Sequence, residues 1–193
     1  MHVIAINGSP RRKGNTWVIL EEILTGAREL GAETTHLILD TLDMKGCRGC
    51  LSCREKPGVC WRQDALSPYL ELMQKCDGIA VGTPIYMYHV TGQMKLFIDR
   101  LYSFYVNTEI MGVYRSAFPA GRRCVVATTQ GHPDGKRFEP AVRWINGMIG
   151  GLGMESVGRI VHLNSQERPA EEDEALLREA RLIGRRLASE KTG

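Results

Sequence analysis

Four of the six cysteines of this chain lie within fourteen residues, in the stretch CRGCLSCREKPGVC. These cysteines are Cys47, Cys50, Cys53 and Cys60. Three thiolates at intervals of three residues, followed by a fourth after a turn at Pro57 and Gly58, can surround one four-iron four-sulfur (4Fe-4S) cluster. Zinc sites more often use two separated pairs of ligands, and a thioredoxin-like C-x-x-C starts a helix after a strand. The spacing favours a 4Fe-4S cluster, with zinc, thiol–disulfide chemistry and a segment that binds no metal as the alternatives.

The cysteine stretch also concentrates positive charge. The chain has a formal net charge of only +3, which gives no argument for a nucleic-acid or membrane partner. Around the cysteines, however, a single acidic residue, Glu55, is outnumbered by basic ones. The basic residues are Lys45, Arg48, Arg54, Lys56 and Arg62. Such charge would favour the reduced state of a cluster and could steer an acidic redox carrier such as ferredoxin, while each residue alone could equally be an ordinary solvated charge.

A second group of chemically useful residues follows the first apolar run, HVIAING. The loop NGSPRRKGNT combines short hydroxyl and amide donors, glycines and three adjacent basic residues, and it leads directly into a helical pattern. Exposed N–H groups at a helix start bind anions. The spacing matches neither the Walker pattern nor the dinucleotide G-x-G-x-x-G, so we expect a pocket for one terminal phosphate, with a basic surface turn as the alternative. The candidate residues are Ser9, Arg11, Gly14, Asn15 and Thr16.

Two later loops could hold a flat ring. The segment GTPIYMYHVTG leaves a buried apolar run and carries aromatic side chains that can stack on a planar heteroaromatic ring. Covering the edge of the sheet is the alternative role for these tyrosines. The loop TTQGHPDGKRF could close the far side of the ring. The candidate residues in the two loops are Thr83, Pro84, Ile85, Tyr86, Thr128, Thr129, Gln130 and Gly131.

The elements that must position these residues follow from the apolar periodicity. Five apolar runs indicate buried strands, and they alternate with five segments of helical spacing. Strands are predicted at 2–8, 34–40, 77–86, 122–130 and 155–163, and helices at 16–30, 65–76, 91–104, 138–153 and 171–189. This order predicts a doubly wound α/β fold, with one five-stranded parallel sheet and helices on both faces. Such sheets bind ligands at the carboxyl ends of their strands, where the candidate loops lie.

The chain as a whole reads as one domain over residues 1–193, with a cysteine-rich loop at 43–62. The first residues lack the features of a signal peptide, and no apolar run approaches the roughly 20 residues of a membrane span, so we expect a cytoplasmic protein. In a reducing compartment, clustered cysteines bind metal or carry redox chemistry more often than they form structural disulfides. The two remaining cysteines, Cys76 and Cys124, are expected to be buried small hydrophobic residues.

The segments NGSPRRKGNT and GTPIYMYHVTGQMKLFIDR, with the order of the strands, resemble the flavodoxin-like FMN proteins of the NADPH-dependent FMN reductase superfamily. The cysteine motif resembles the iron-sulfur flavoprotein branch of that superfamily. The match covers roughly residues 1–135, and the remainder agrees only in pattern. The resemblance implies FMN, with its isoalloxazine ring held by residues 84–86 and the loop near Thr129. Its phosphate would be held by Ser9, Arg11, Asn15 and Thr16. The resemblance also implies a homodimer or homotetramer.

Together these features predict an FMN-dependent oxidoreductase in which the cofactors carry the chemistry, so no catalytic side chain is needed. A flavin exchanges electrons singly or in pairs and a cluster passes them one at a time. We expect electrons from a one-electron donor such as ferredoxin to reduce a small acceptor, for example oxygen, peroxide or a quinone. The alternatives are an NAD(P)H-dependent FMN, quinone or azo reductase, a substrate-specific FMN dehydrogenase, and a redox carrier or sensor that is not an enzyme.

Overall fold

The computed structural model describes residues 1–107 and 113–189, so the prediction of one domain over 1–193 extends beyond the described residues. The strands are β1 (His2–Asn7), β2 (Glu33–Ile38), β3 (Gly78–Tyr86), β4 (His89–Val90), β5 (Tyr105–Asn107), β6 (Tyr114–Ser116), β7 (Arg123–Thr129) and β8 (Glu155–His162). The α-helices are α1 (Asn15–Arg28), α2 (Ser67–Lys75), α3 (Gly92–Arg100), α4 (Glu139–Gly150) and α5 (Glu174–Ala188).

Five of the strands form one parallel sheet in the order β2-β1-β3-β7-β8, which confirms the predicted doubly wound α/β fold. The central strands are apolar runs because both of their faces are covered; residues 3–6 of β1, for example, have no exposed surface. The order of the strands reverses between β1 and β3. In open parallel sheets this reversal point opens a crevice for a ligand.

Helices cover both faces of the sheet. Apolar side chains of α1 and α5 form one core, and those of α2, α3 and α4 form the other. Helix α1 ends at Arg28, two residues earlier than the apolar pattern predicts, and Leu30 is half exposed after it. Gly31, at a φ of +79°, turns the chain towards β2 there, a conformation that glycine adopts without strain. No helix in the described part of the chain is long and apolar enough to cross a lipid bilayer.

Three short strands are additions to the predicted elements. Strand β4 pairs antiparallel with β3 through a two-residue turn at Met87 and Tyr88, and β5 pairs antiparallel with β6. Met87 and Tyr88 both have left-handed φ angles, +46° and +66°, which this type of turn requires and which glycine or asparagine would adopt more easily. Each of these two residues costs roughly 1 kcal/mol of backbone strain. Since Met and Tyr are not typical turn residues, the sequence does not predict a tight hairpin here.

The carboxyl ends of the strands meet at one edge of the sheet. Gly8 donates its N–H to the Gly82 carbonyl (2.8 Å), which continues the pairing of β1 with β3 past the end of β1. Pro84 pairs with Thr129, and Gln130 donates its N–H to the carbonyl of His162 (2.9 Å) at the end of β8. The loops that follow β1, β3, β7 and β8 therefore lie next to one another.

Candidate functional site

The loop after β1 is folded by its own polar side chains. Asn7 Oδ1 accepts the N–H of Ser9 (2.9 Å), and Ser9 Oγ accepts the N–H of Arg11 (3.2 Å). Helix α1 then starts after Gly14, which has no side chain to cap it. The first N–H groups of a helix need a partner from outside the helix, so this end of α1 can bind an anion.

This loop opens on a cavity of about 510 Å³, large enough for a mononucleotide. Eleven of the thirteen residues predicted for a phosphate and a ring line it: Ser9, Arg11, Gly14, Asn15, Thr16, Pro84, Ile85, Tyr86, Thr129, Gln130 and Gly131. A contact of 3.1 Å between the Thr16 and Thr129 hydroxyls joins the start of α1 to the end of β7. The structure thus brings the three predicted loops to one pocket, which we call the loop cavity.

Two predicted residues, Thr83 and Thr128, are buried in the sheet and do not line the loop cavity. The Thr83 hydroxyl donates to the Pro84 carbonyl (3.0 Å), and the Thr128 hydroxyl donates to the Ile160 carbonyl (3.4 Å). Successive side chains of a strand point to opposite faces, so Thr128 and Thr129 cannot both face the same ligand. In the structure the hydroxyls of both threonines are therefore satisfied by backbone carbonyls.

Two residues of the loop cavity, Ser165 and Gln166, were missed by the sequence analysis. They follow β8, and the side chain of Asn15 fixes their loop: its Nδ2 donates to the Ser165 carbonyl (2.8 Å), and its Oδ1 accepts the N–H of Ala170 (2.7 Å). Asn15 therefore binds the facing wall as well as lining the cavity. The sequence could have predicted this wall from the position of the polar run LNSQERP, which directly follows the last parallel strand. Ligands bind at the carboxyl ends of such strands.

Gln130, in the wall of the loop cavity, could accept a hydrogen bond from a heteroaromatic ring with an N–H group. Its Nε2 donates to the carbonyls of His132 (2.9 Å) and Asp134 (3.0 Å), which holds the amide in place. Its Oε1 is buried and accepts no hydrogen bond from the described residues. A buried acceptor without a partner is costly, so a donor from a ligand would stabilise it. The residues present therefore fit FMN, which has a phosphate and a ring N–H.

The cysteine motif forms a second cavity, of about 490 Å³, lined by all four of its cysteines together with mainly apolar and aromatic side chains. We call it the cysteine cavity. Cys47 and Cys50 are exposed, Cys53 and Cys60 are half-buried, and all four are free thiols. In the described part of the chain, no three His, Cys, Asp or Glu side chains are grouped closely enough for a single metal ion. Four thiols around one larger cavity fit the donor set of a cluster, whose ligands stand farther apart than those of one ion.

The environment changes the acidity of two of these thiols. Hydrogen bonds from the backbone and hydroxyl of Ser52, and then the Arg48 guanidinium, hold the pKa of the Cys50 thiol below its usual value. Burial, followed by the charges of the neighbouring cysteines, raises the pKa of Cys53. The two cysteines outside the motif behave as predicted: burial raises the pKa of Cys76 to about 12 and of Cys124 to about 11.

The cysteine loop is fixed by residues at and after the end of α3. The Arg100 guanidinium contacts Cys60 Sγ (3.1 Å) and Asp64 Oδ2 (2.6 Å), and the Gly58 N–H donates to the Ser103 carbonyl (2.6 Å). Burial raises the pKa of Asp64, but hydrogen bonds from Arg100 and the Lys45 N–H outweigh it and hold that pKa below its usual value. Arg100 is not among the residues predicted for the site, although it lies three residues after the core residue Phe97 and therefore on the same face of the helix.

Helix α3 extends from one cavity to the other. The hydroxyl of Thr91, at its start, donates to the Gly8 carbonyl in the first loop (2.6 Å) and accepts the N–H of Met94 (3.2 Å). Arg100, at its end, contacts Cys60. Nine helical residues span about 13 Å at 1.5 Å each, and among the described residues the linings of the two cavities have no member in common. The two sites are separate and are joined by a rigid element.

The chain is similar to known proteins in sequence and in fold. A family model described as NADPH-dependent FMN reductase matches residues 1–132. An iron-sulfur flavoprotein of Methanocaldococcus jannaschii is 39% identical over 100 residues, which are 52% of this chain and 51% of that protein. Another, of Archaeoglobus fulgidus, is 28% identical over 188 residues, which are 97% of this chain and 79% of that protein.

The solved NAD(P)H:quinone oxidoreductase from Methanothermobacter marburgensis is similar in fold, with a TM-score of 0.76 at 20% identity, covering 97% of this chain and 98% of that one. The chain spans about half the length of the M. jannaschii relative. The family match covers the loops after β1 and β3, the start of the loop after β7 and the whole cysteine motif. The resemblance to iron-sulfur flavoproteins that the motifs indicated is thus confirmed, and the chain belongs to the NADPH-dependent FMN reductase family.

Proposed function

We propose that this chain is an iron-sulfur flavoprotein: an oxidoreductase that transfers electrons between a one-electron donor, a 4Fe-4S cluster and FMN, and reduces a small acceptor. The observation that carries the proposal is the presence of two separate cavities in one chain. One is lined by residues suited to a mononucleotide, and the other by all four clustered cysteines. The names of the two relatives support the pairing of cluster and flavin.

In the loop cavity, FMN when bound supplies the capacity to take up and release electrons singly or in pairs. The chain's own residues bind and orient it. The free N–H groups at the start of α1, with Ser9, Arg11 and Thr16, would hold the phosphate. The ring would lie between residues 84–86 and 129–131, where Gln130 Oε1 can accept a ring N–H. Tyr86 is 40% exposed and would cover the edge of the ring.

In the cysteine cavity, Cys47, Cys50, Cys53 and Cys60 would hold the cluster. Arg48 and Arg62 line the same cavity and Arg54 lies beside it, hydrogen-bonded to the Tyr102 hydroxyl. These positive charges would attract an acidic one-electron carrier, for which ferredoxin is the natural candidate. The small acceptor would then meet the flavin at the open side of the loop cavity; oxygen, peroxide and quinones are the candidates.

The test is anaerobic purification followed by an absorption spectrum and assays for iron, sulfide and flavin. We expect close to four irons, four sulfides and one FMN per chain. Replacing Cys53 by Ala should abolish the broad visible absorption of the cluster and leave FMN bound, whereas replacing the buried Cys124 by Ala should change neither. Zinc, or no metal, in a carefully anaerobic preparation of the wild-type protein would disprove the cluster.

A second function, an NAD(P)H-dependent FMN or quinone reductase, is supported by the family match itself. In that case NADPH alone should reduce the flavin rapidly when the two are mixed without ferredoxin, and Cys53→Ala should leave this rate unchanged. Under the main proposal, reduction by ferredoxin is fast in the wild-type protein and is lost in Cys53→Ala. Measuring both rates in both proteins separates the two functions.

Assembly into a homodimer or homotetramer is also part of the proposal. Leu51, Trp61 and Met148 are 44%, 67% and 37% exposed, and all three line the cysteine cavity. Exposed apolar side chains that lie together mark contact surfaces. Analytical ultracentrifugation should therefore find two or four copies, and Trp61→Glu should shift the distribution towards the monomer. A wild-type monomer at micromolar concentration would contradict this part of the proposal.

A further inference from the structure

Arg100 is a charged side chain with no exposed surface. Its guanidinium makes four hydrogen bonds. Nε donates to Cys60 Sγ (3.1 Å), Nη1 donates to Asp64 Oδ2 (2.6 Å) and to the carbonyl of Lys45 (2.9 Å), and Nη2 donates to the carbonyl of Arg62 (2.7 Å). Lys45 precedes the first cysteine of the motif and Arg62 follows the last. One buried guanidinium therefore ties both ends of the cysteine loop to the end of α3.

Stability alone does not explain this arrangement. Burying an ion pair such as Arg100–Asp64 contributes little net stability, because the loss of hydration offsets the attraction. The bond from Nε is of another kind, since its acceptor is a thiol of the cysteine motif. Cys60 is half-buried and receives this bond from a desolvated cation, whereas Cys47 and Cys50 are exposed to solvent.

We propose that Arg100 is a positioning residue that orients Cys60 Sγ as the fourth ligand of the cluster and raises the reduction potential of the cluster. This inference rests on the proposed function. Reduction adds one electron to the cluster and its thiolates, and no bond forms or breaks. The sulfur then becomes more negative and accepts a stronger hydrogen bond, so a donor at 3.1 Å stabilises the reduced state more than the oxidised state.

Burial makes Arg100 different from the other basic residues of the segment. Lys56, for example, is exposed, and water and salt screen its charge. The Arg100 side chain has no exposed surface, so its hydrogen bond to Cys60 is screened less than an exposed charge. Weakening the hydrogen bond from Arg100 to Cys60 should therefore change the potential far more than removing the exposed charge of Lys56 from the same region.

The experiment is a redox titration of the anaerobically purified full-length protein with dithionite, followed by electron paramagnetic resonance of the cluster. Arg100→Lys keeps the charge but lacks the planar fork that reaches Cys60 and both loop ends at once. The double variant Arg100→Gln/Asp64→Asn removes the ion pair without leaving a buried carboxylate unpaired. We expect Arg100→Lys and the double variant to have a lower midpoint potential than the wild-type protein. In the double variant the equilibrium constant for one-electron reduction should fall about tenfold, which corresponds to about 59 mV. Lys56→Gln, the matched control, should keep the wild-type potential.

Iron, sulfide and FMN contents of the wild-type protein separate the two claims. If it contains no iron and sulfide, the proposed function is wrong and this inference is wrong with it. If the wild-type protein contains a full cluster, and the Arg100 variants have the same iron content and the same midpoint potential as the wild-type protein, the inference alone is overturned. If the double variant loses its iron, Arg100→Lys decides: a lowered potential supports the role of Arg100, and an unchanged potential overturns it.

Discussion

Two neighbouring arginines in the first loop, Arg11 and Arg12, have different surroundings. Arg11 lines the loop cavity and Arg12 does not. We expect Arg11→Ala to weaken FMN binding about fivefold, the roughly 1 kcal/mol of a solvent-exposed charge interaction. Riboflavin, which lacks the phosphate, should bind this variant as it binds the wild-type protein. Fluorescence titration of the two flavins measures both affinities.

Arg12→Ala is the matched control and should bind FMN normally. If Arg11→Ala weakened the binding of riboflavin as much as that of FMN, Arg11 would not act on the phosphate.

Because His162, at the end of β8, is buried, we expect the stability of the protein to depend on pH. Burial lowers the pKa of His162. A hydrogen bond with the backbone of Arg168 and the charge of Asp173 raise this pKa, but burial outweighs them. An ordinary histidine titrates near pH ~6.5, so below that pH the unfolded chain binds a proton that the folded chain does not. The contribution of His162 to stability is therefore complete above pH ~6.5 and is lost as the pH falls through the lower pKa of the folded state.

We expect His162→Phe to lose less stability than the wild-type protein when the pH is lowered from 7.5 to 5, measured by urea unfolding at each pH. His132→Asn, which changes a histidine of the β7 loop, should keep the wild-type dependence. Equal losses in the wild-type protein and His162→Phe would show that His162 is not the source.

Site residues that lie together in one loop could be predicted from the sequence. Ser9, Arg11 and Thr16 belong to one loop, and their types and order suffice. Arg100 could not be predicted from its surroundings in sequence, because its partners Cys60 and Asp64 lie about 40 residues earlier. Only the fold brings such residues together.

Among the elements, α1 and α5 cross at two glycines. A Cβ atom on Gly184 would lie 1.9 Å from the Ile23 carbonyl oxygen, and one on Gly26 would lie 2.0 Å from the Arg181 carbonyl oxygen. These distances allow no side chain at either position, so the helix backbones are in direct contact. Ion pairs from Arg181 and Arg185 of α5 to Glu22 of α1 and to Glu29, which follows the end of α1, flank the crossing.

We expect Gly184→Ala to destabilise the protein by about 3 kcal/mol, because the helices must separate and reopen a packed core. Thermal unfolding measures the change. Gly147, in the exposed part of α4, is the matched control: nothing lies within 4 Å of the position that a methyl group would take there, and Gly147→Ala should stabilise by up to about 1 kcal/mol through helix propensity. An unchanged melting temperature in Gly184→Ala would mean that the helices can move apart freely.

The five parallel strands and five α-helices found in residues 1–107 and 113–189 were predicted from the sequence, with ends within a few residues. The reason is that each buried strand is a continuous apolar run and each helix has one apolar face. The antiparallel pairs β3–β4 and β5–β6 were missed, since Met87 and Tyr88 are unusual residues for a tight turn and β5 and β6 have three residues each. Long, strongly patterned elements can be predicted, and short ones fixed by tertiary contacts cannot.

On the scale of the whole molecule, the uneven distribution of charge predicts how a redox partner is recognised. Residues 45–62, which contain the cysteine motif, have five basic residues and one acidic residue, in a chain of net charge +3. If ferredoxin is the donor, as we propose, electron transfer from it should slow roughly tenfold as the salt concentration rises, because screening beyond about 10 Å at 0.1 M weakens steering. Stopped-flow measurements at several ionic strengths give the rate.

A reduced viologen, which is a cationic electron donor, serves as the control. Its reaction should become faster with salt, since screening removes a repulsion. A rate with ferredoxin that does not depend on salt would show that the charges around the cysteines do not guide the partner.

Helix α3 also imposes an electric field on the space between the two cavities. Its peptide dipoles align so that the positive end lies at Thr91, beside the first loop, and the negative end lies at Arg100, beside Cys60. A negative charge beside the first loop is therefore stabilised by about 0.3–1 kcal/mol, the usual effect of a charge near a helix terminus. The Arg100 guanidinium offsets the negative end of the helix, so the field of α3 acts mainly on an anion at the first loop.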